Sequence, residues 1–368
     1  MSQQVSRARR RLNAGANPSH RLVLKRNHST PARPLRIGYV PLTDAAPLLV
    51  ARAFGLFARH GIEVELSREV GWATVRDKII YRELEAAHAP AGMLYSTQLG
   101  CGCPPCEVLT AFVFNLHGNA ITVAKPLLPA GDDPGAALRE AVRRRQGERR
   151  LTFGVVFAWS SHHVLLRDWL RALRIDPDRD VRIVVVPPAQ MCRNLVAGTL
   201  DGYCSGEPWN SLAVHENAGE IVGWSAALDR GHPEKVLMVR ADFAQKRERE
   251  HAAIVRALHE AATWCDEPQH RPQLAELLAL RENLDLPAAA IAPALLPPAA
   301  PDDRVIFHRG DANRPVPSLG ENVLRPLVEA GLIPAIGANF GTLHRQLFRQ
   351  DLYQQSLSGH RLNEIPTR

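Results

Sequence analysis

Between Leu35 and Leu84 the chain switches hydrophobic period repeatedly, and this alternation constrains the fold more than any other feature. Leu35-Arg36-Ile37-Gly38-Tyr39-Val40 is a short apolar run stopped by Pro41, the pattern of a buried parallel strand. Asp44 is placed to cap a helix in which Leu48, Leu49, Arg52 and Phe57 recur at helical spacing, and Gly61 supplies the stop. Ile62-Glu63-Val64-Glu65-Leu66 alternates apolar and acidic residues, which predicts a second strand. Trp72, Val75 and Ile79 then share one face of a helix running to about Leu84. Such a strand–helix–strand–helix opening predicts an α/β fold with helices covering a mostly parallel sheet.

The pattern then restarts. Leu151–Phe157 reads as a strand, Ser160-Ser161 as a polar turn and His162–Leu173 as a helix, followed by strand Val181–Val186 and helix Gln190–Ala197. Between the two units, Ala111–Asn115 and Ala120–Ala124 read as strands broken at His117-Gly118. Val236–Val239 reads as a strand returning to the first unit, and helical segments dominate after Asp242. Two α/β units joined by crossing segments predict a two-lobed clamp, with its ligand between the lobes at strand and helix ends. The predicted division is a basic arm over 1–34, the first part of lobe 1 over 35–125, and lobe 2 over 126–235. Residues 236–368 then supply the return strand and C-terminal helices of lobe 1.

A length of 368 residues suits two domains. No run approaches the ~18 apolar residues of a membrane helix, so no membrane insertion is expected. The net charge of +7 resembles a nucleic-acid signal until it is localised. Arg7, Arg9, Arg10, Arg11, Arg21, Lys25, Arg26 and Arg33 all fall within residues 1–34, where there is no acid, and the remaining body is close to neutral. That arm is expected to be disordered, either a contact for RNA, DNA or an acidic partner, or simply solvated. It lacks the apolar core of a secretory signal, because Leu12-Asn13-Ala14-Gly15-Ala16-Asn17-Pro18 follows Arg11. The expected location is therefore cytoplasmic, or periplasmic if the start site is misassigned.

Cys101, Cys103 and Cys106 crowd into six residues, while Cys192, Cys204 and Cys265 are scattered, unlike a secreted disulfide framework. The cluster could hold zinc, with His88 or Cys204 as the fourth ligand, or form a Cys103–Cys106 redox pair. Free loop thiols are the plain alternative. No Ser-His-Asp set, phosphate loop or paired-carboxylate pattern stands out to suggest catalysis.

Several ordered segments carry a resemblance. They are Gly38-Tyr39-Val40-Pro41-Leu42-Thr43-Asp44-Ala45-Ala46-Pro47, Val70-Gly71-Trp72-Ala73-Thr74-Val75-Arg76-Asp77-Lys78 and Leu116-His117-Gly118-Asn119-Ala120. Others are His162-His163-Val164-Leu165-Leu166-Arg167-Asp168-Trp169, Asp201-Gly202-Tyr203-Cys204-Ser205-Gly206-Glu207-Pro208-Trp209-Asn210 and His232-Pro233-Glu234-Lys235. Together they resemble the nitrate- and bicarbonate-binding solute-binding proteins of ABC transporters (NrtA/CmpA type) and their cytoplasmic relatives, the NasS-like nitrate/nitrite sensors. The resemblance implies a type II periplasmic-binding-protein-like clamp that is not an enzyme and requires no cofactor.

Carried over position by position, the resemblance makes Trp72, Asn119, His162 and Lys235 the ligand contacts. Indole, amide and imidazole N–H groups are directional donors suited to a planar monoanion, and Lys235 would supply the compensating charge. Lys235 in place of an acidic group favours nitrate or nitrite over bicarbonate, which has an O–H to donate. Asn119 departs from the Gln common in nitrate-binding members. Outside that resemblance, Trp72 would read as core, His162 as a helix-terminal histidine, Lys235 as surface charge and Glu207 as part of a cross-lobe turn. The resemblance to NasS-like sensors implies a response-regulator-like antiterminator, which acts on leader RNA, as partner. The alternatives are an ABC importer's binding component, with a permease and ATPase as partners, and a thiamine-pyrimidine-synthase-like enzyme.

Overall fold

The computed structural model describes residues 33–129, 133–145, 149–229, 231–296, 304–335 and 340–359. The expected basic arm lies outside them except for Arg33 and Pro34, as do the middle of the Pro126–Gly135 connection and the loop at 297–301.

Two mixed sheets organise the described chain. Strands β1 (Leu35–Tyr39), β2 (Val64–Arg68), β3 (Ala86–Pro90) and β4 (Val108–His117) enter the first sheet. Strands β5 (Asn119–Ala124), β6 (Leu151–Val155), β7 (Val181–Val185), β8 (Gly202–Gly206) and β9 (Gly219–Trp224) build the second. β10 (Pro233–Arg240) and the short β11 (Val305–Ile306) then return to the first. The first sheet has the order β11-β4-β10-β3-β1-β2 and the second β7-β6-β8-β5-β9. In each, a parallel trio carries an antiparallel neighbour: β2, β1 and β3 are met by β10, and β7, β6 and β8 by β5. This is the α/β clamp of the periplasmic-binding-protein fold.

The inner parallel strands β3, β6 and β8 are buried along their whole length, as crossover helices require, while the edge strands β2 and β7 are partly exposed. Ile37, Leu48, Leu49, Val50, Ile254 and Leu258 are fully buried in one core of the first lobe. In the second, Ile121, Phe153, Val155, Leu166 and Leu170 are likewise fully buried. Each such side chain contributes about 1.5–3 kcal/mol through burial. No helix among the described residues is long and apolar enough to cross a membrane.

The chain first crosses between sheets at His117-Gly118, so β5 belongs to the second sheet rather than to lobe 1 as the 35–125 division had it. Both residues have positive φ, +62° and +96°. Asn115 Nδ2 donates to the His117 carbonyl at 2.8 Å and stabilises this left-handed corner. A Cβ at Gly118 would stand 3.1 Å from that same nitrogen, so glycine is required both by conformation and by space. The second crossing lies between β9 and β10, and β10 inserts between β3 and β4.

Two expectations about local structure are corrected. Asp44 does not cap the helix Ala46–Ala53, which has no side-chain cap; its carboxylate turns instead toward His88 and Lys235. The helix at Trp72 ends at Ile80 rather than Leu84, and β3 follows almost at once.

Candidate functional site

The crossings bring strand ends and helix starts of both sheets to one seam. Trp72 opens the helix Trp72–Ile80, and His162 lies in the first turn of the helix Ser161–Ala172. Asn119 begins β5, and Lys235 sits near the start of β10. The four are 0–1% exposed, so they are sealed from solvent rather than set in an open groove. Lys235 Nζ stands 5.5 Å from the Trp72 ring centroid. A Cβ on Gly206 would lie 3.5 Å from Asn119 Oδ1 and 3.6 Å from Asp44 Oδ2, so Asn119 of β5 and Asp44 of the turn after β1 flank the same glycine. The structure thus gathers all four residues.

Around them lies a concentration of buried polar atoms that make no hydrogen bond within the protein. Trp72 Nε1, Asn119 Oδ1 and Nδ2, both ring nitrogens of His162, Thr43 Oγ1, Ser205 Oγ and Glu207 Oε1 are all of this kind. Leaving such groups unpaired typically costs ~1–3 kcal/mol each. Their convergence at one seam is the pattern of a polar binding site.

The charges differ from the sequence reading. Lys235 Nζ is 2.8 Å from Asp44 Oδ2 and 2.8 Å from Glu234 Oε1, so the compensating charge expected of it is already matched by two carboxylates. Burial opposes charge on all three, yet their mutual attraction prevails. The Lys235 pKa is raised, and those of Asp44 and Glu234 are lowered. Asp44 Oδ1 also lies 3.0 Å from His88 Nε2, although neither this contact nor the one to Lys235 has good hydrogen-bond angles. Burial lowers the His88 pKa despite Asp44.

Glu234 is the hub that sequence reading passed over. It accepts from Lys235, receives the Ser161 hydroxyl across the seam, and lies 3.2 Å from His232 Nε2 and 3.5 Å from His162 Nε2. His232 Nδ1 meets the Asp229 carbonyl at 3.0 Å. Both ring nitrogens of His232 therefore face acceptors, the geometry of an imidazolium. Burial works against that charge, but Glu234 and Asp229 outweigh it and raise the pKa. His162 behaves oppositely, pushed down to about 4 by burial against the pull of Glu234.

Why sheet alternation hid Glu234 is visible in β10. Consecutive strand residues normally point to opposite faces, but the β10–β4 register shifts on both sides of Lys235. The irregularity lets neighbouring Glu234 and Lys235 reach one ion cluster. Further hydrogen bonds close the seam. Thr43 N–H donates to the Glu207 carbonyl at 2.8 Å, and Trp209 Nε1 to the Pro41 carbonyl at 3.1 Å. Glu207 itself is pushed up to about 7 by burial, against the Ser211 N–H that donates to it.

The cysteine cluster does not assemble as a metal centre. Cys101, Cys103 and Cys106 are free thiols, and no group of three or more His, Cys, Asp or Glu among the described residues is arranged to hold a metal. His88 is committed to Asp44 in the first lobe and Cys204 is buried in the second sheet, so neither completes a set. Burial also raises all three thiol pKa values, the reverse of an activated redox pair. The loop instead packs at the seam, where a Cβ at Gly102 would stand 2.6 Å from the Trp159 ring.

With fold and seam in place, the class is that of the periplasmic-binding-protein fold. The NMT1-like family model matches residues 28–279, and the chain belongs to that family. The crystal structure of the periplasmic nitrate-binding protein NrtA from Synechocystis superposes with a TM-score of 0.82 at 25% identity, covering 90% of this chain and 91% of that one. The nitrate import ATP-binding protein NrtC of Synechocystis is 40% identical over 264 residues, 71% of this chain and 39% of NrtC. The bicarbonate transport ATP-binding protein CmpC of Synechococcus elongatus is 41% identical over 255 residues, 69% of this chain and 38% of CmpC. The chain therefore spans less than half the length of those two relatives.

Proposed function

We propose that this chain is the anion-binding component of a nitrate- or bicarbonate-type ABC importer, working on the periplasmic side with a permease and an ATPase as partners. The observation that carries the reading is the seam. Indole, amide and imidazole groups of Trp72, Asn119 and His162 are buried with unpaired polar atoms beside Lys235. Donors fixed before the ligand arrives lose little on binding, which suits a small planar oxyanion. The importer reading is favoured over the cytoplasmic sensor with an antiterminator partner because the relatives above are named for import systems. Binding without catalysis is favoured over the thiamine-pyrimidine-synthase-like reading, since the cysteines that suggested metal chemistry do not converge.

In this reading Trp72, Asn119, His162 and Lys235 contact the anion, and the two sheets act as lobes that close on it. Calorimetric titration with nitrate, nitrite, hydrogencarbonate, sulfate and a thiamine-pyrimidine precursor tests it. Micromolar binding of nitrate, nitrite or hydrogencarbonate, about −8 kcal/mol at 1 μM, is the expected result. Binding of the pyrimidine or sulfate alone would overturn it.

A further inference from the structure

The charges at the seam balance before any anion enters. Asp44 and Glu234 carry two negative charges, and Lys235 and the doubly hydrogen-bonded His232 carry two positive ones, all buried. A monoanion bound there adds a negative charge that nothing in the cluster offsets. Burying an unmatched charge is costly, and the usual escape is a change of protonation nearby.

We propose, resting on the oxyanion-binding reading, that the clamp takes up its anion together with one proton, and that His162 holds this proton. His162 is fully buried in the first turn of its helix, and neither ring nitrogen makes a hydrogen bond within the protein. Its Nε2 lies 3.5 Å from Glu234 Oε1, a distance that a charged N–H can shorten into a good contact. Protonation gives the ring two donors, one for Glu234 and one for the anion.

The groups around His162 limit the alternatives. Asp44 comes from the turn before Ala46–Ala53, His88 from β3, Glu207 from just beyond β8, and His232, Glu234 and Lys235 from β10 and the residue before it. Ser161 neighbours His162 on its own helix. Lys235 is already held between two carboxylates, His232 has an acceptor at each ring nitrogen, and Asp44 and Glu234 are already paired. His88 has Asp44 on one side and the Trp72 and Phe114 rings on others. Glu207, at about 7, is half protonated at pH 7, so uptake by it would rise steeply between pH 6.5 and 8.5, whereas uptake by His162 stays near one across that range. His162, low in the empty clamp at about 4, can accept a whole proton.

Linkage fixes the consequence. When binding takes up one proton, affinity falls about tenfold for each unit rise in pH between the pKa of the empty site and that of the occupied one. Nitrate, nitrite and hydrogencarbonate are all monoanions, so for each of them solvent must supply the proton.

Nitrate, nitrite and hydrogencarbonate titrations at pH 6.5, 7.5 and 8.5, in pairs of buffers with different ionisation enthalpies, count the protons directly. Uptake close to one proton per nitrate or nitrite, with the tenfold fall in affinity, is the expected result. His162→Gln should abolish the uptake, while His88→Gln should keep it. If His162→Gln does not fold, histidine-selective nitrogen NMR of the wild-type protein provides the second measurement. Conversion of the His162 ring to imidazolium on nitrate saturation is then expected. Anion binding without proton uptake, uptake that persists in a folded His162→Gln, or a ring that stays neutral overturns the proposal. If none of these anions binds, the oxyanion reading itself fails, and the proposal with it.

Discussion

Lys235 Nζ lies 2.8 Å from Asp44 Oδ2, joining the strand that returns from the second sheet to the first turn after β1. Both side chains are nearly inaccessible, at 0% and 2% exposure, so the pair sits where an unmatched charge is expensive. The contact gives Lys235 a part in holding the fold, besides the proposed one as a donor to the anion. Its ammonium has three N–H groups and donates a well-aligned hydrogen bond to Glu234, while the contact to Asp44 is an ion pair.

Removing that ammonium should therefore destabilise the clamp before any anion is added. Lys235→Met leaves Asp44 and Glu234 buried against each other and is expected to cost ~3–5 kcal/mol. Adding Asp44→Asn should recover part of this, with a coupling of about 0.5–3 kcal/mol between the two sites. Urea midpoints of the single and double variants measure it. Simple additivity would remove the pair from any structural role.

Glu207 titrates with the opposite sign to the paired carboxylates. Burial lifts it from an ordinary 4.5 to about 7, so folding favours its protonated form. That contribution is complete below the unfolded value and is lost as pH rises through 7. A shift of this size corresponds to about 3 kcal/mol. Glu207→Gln cannot titrate, so its stability relative to wild type should improve by up to about 3 kcal/mol between pH 4.5 and 8.5. Urea unfolding of both proteins across that range checks the trend, and parallel curves would contradict it.

Much of the architecture was legible because β1 and β6 lie within short, mainly apolar runs bounded by a proline and a polar turn, although the strands stop at Tyr39 and Val155, one and two residues before the runs do. β3 was not. Ala86-Ala87-His88-Ala89-Pro90 has neither alternation nor β-branched residues, and only its place between β1 and β10 makes it a strand. Asp44 was misassigned because capping and ion pairing call for the same side chain, and the partner, Lys235, is distant in sequence. Trp72, Asn119, His162 and Lys235 came from resemblance, since no local rule brings them together. Glu234 could have been found in His232-Pro233-Glu234-Lys235, where two bases flank an acid on a strand that must cross between lobes.

The cysteine loop should prove dispensable for ligand binding. The loop that carries Cys101, Cys103 and Cys106 packs Gly102 against Trp159, and the raised thiol pKa values predict slow alkylation at pH 7. The triple substitution to Ser should leave nitrate affinity within about threefold, a change under 1 kcal/mol. Purified wild-type protein should contain far less than one zinc per chain by elemental analysis. Stoichiometric zinc, or loss of anion binding by a folded triple variant, would restore the metal reading.

Trp72 offers the cleanest separation of binding from stability. Its indole is buried against the hydrophobic cluster that contains Val75 and Ile79, yet Nε1 makes no hydrogen bond within the protein. Trp72→Phe keeps an aromatic ring above Lys235 and removes that donor. Because the donor is unpaired in the protein, its removal relieves a buried polar group, and the larger volume change costs a cavity. Stability should consequently fall only modestly, by about 1–2 kcal/mol. A hydrogen bond to a charged ligand is worth about 1.5–3 kcal/mol, so nitrate affinity should drop by about 10–150-fold. Trp72→Ala, which also deletes the ring, should lose about 3–5 kcal/mol of stability. Paired urea and calorimetric measurements on the two variants distinguish the roles. Unchanged affinity in a folded Trp72→Phe would return Trp72 to the core and leave Asn119, His162 and Lys235 as the contacts.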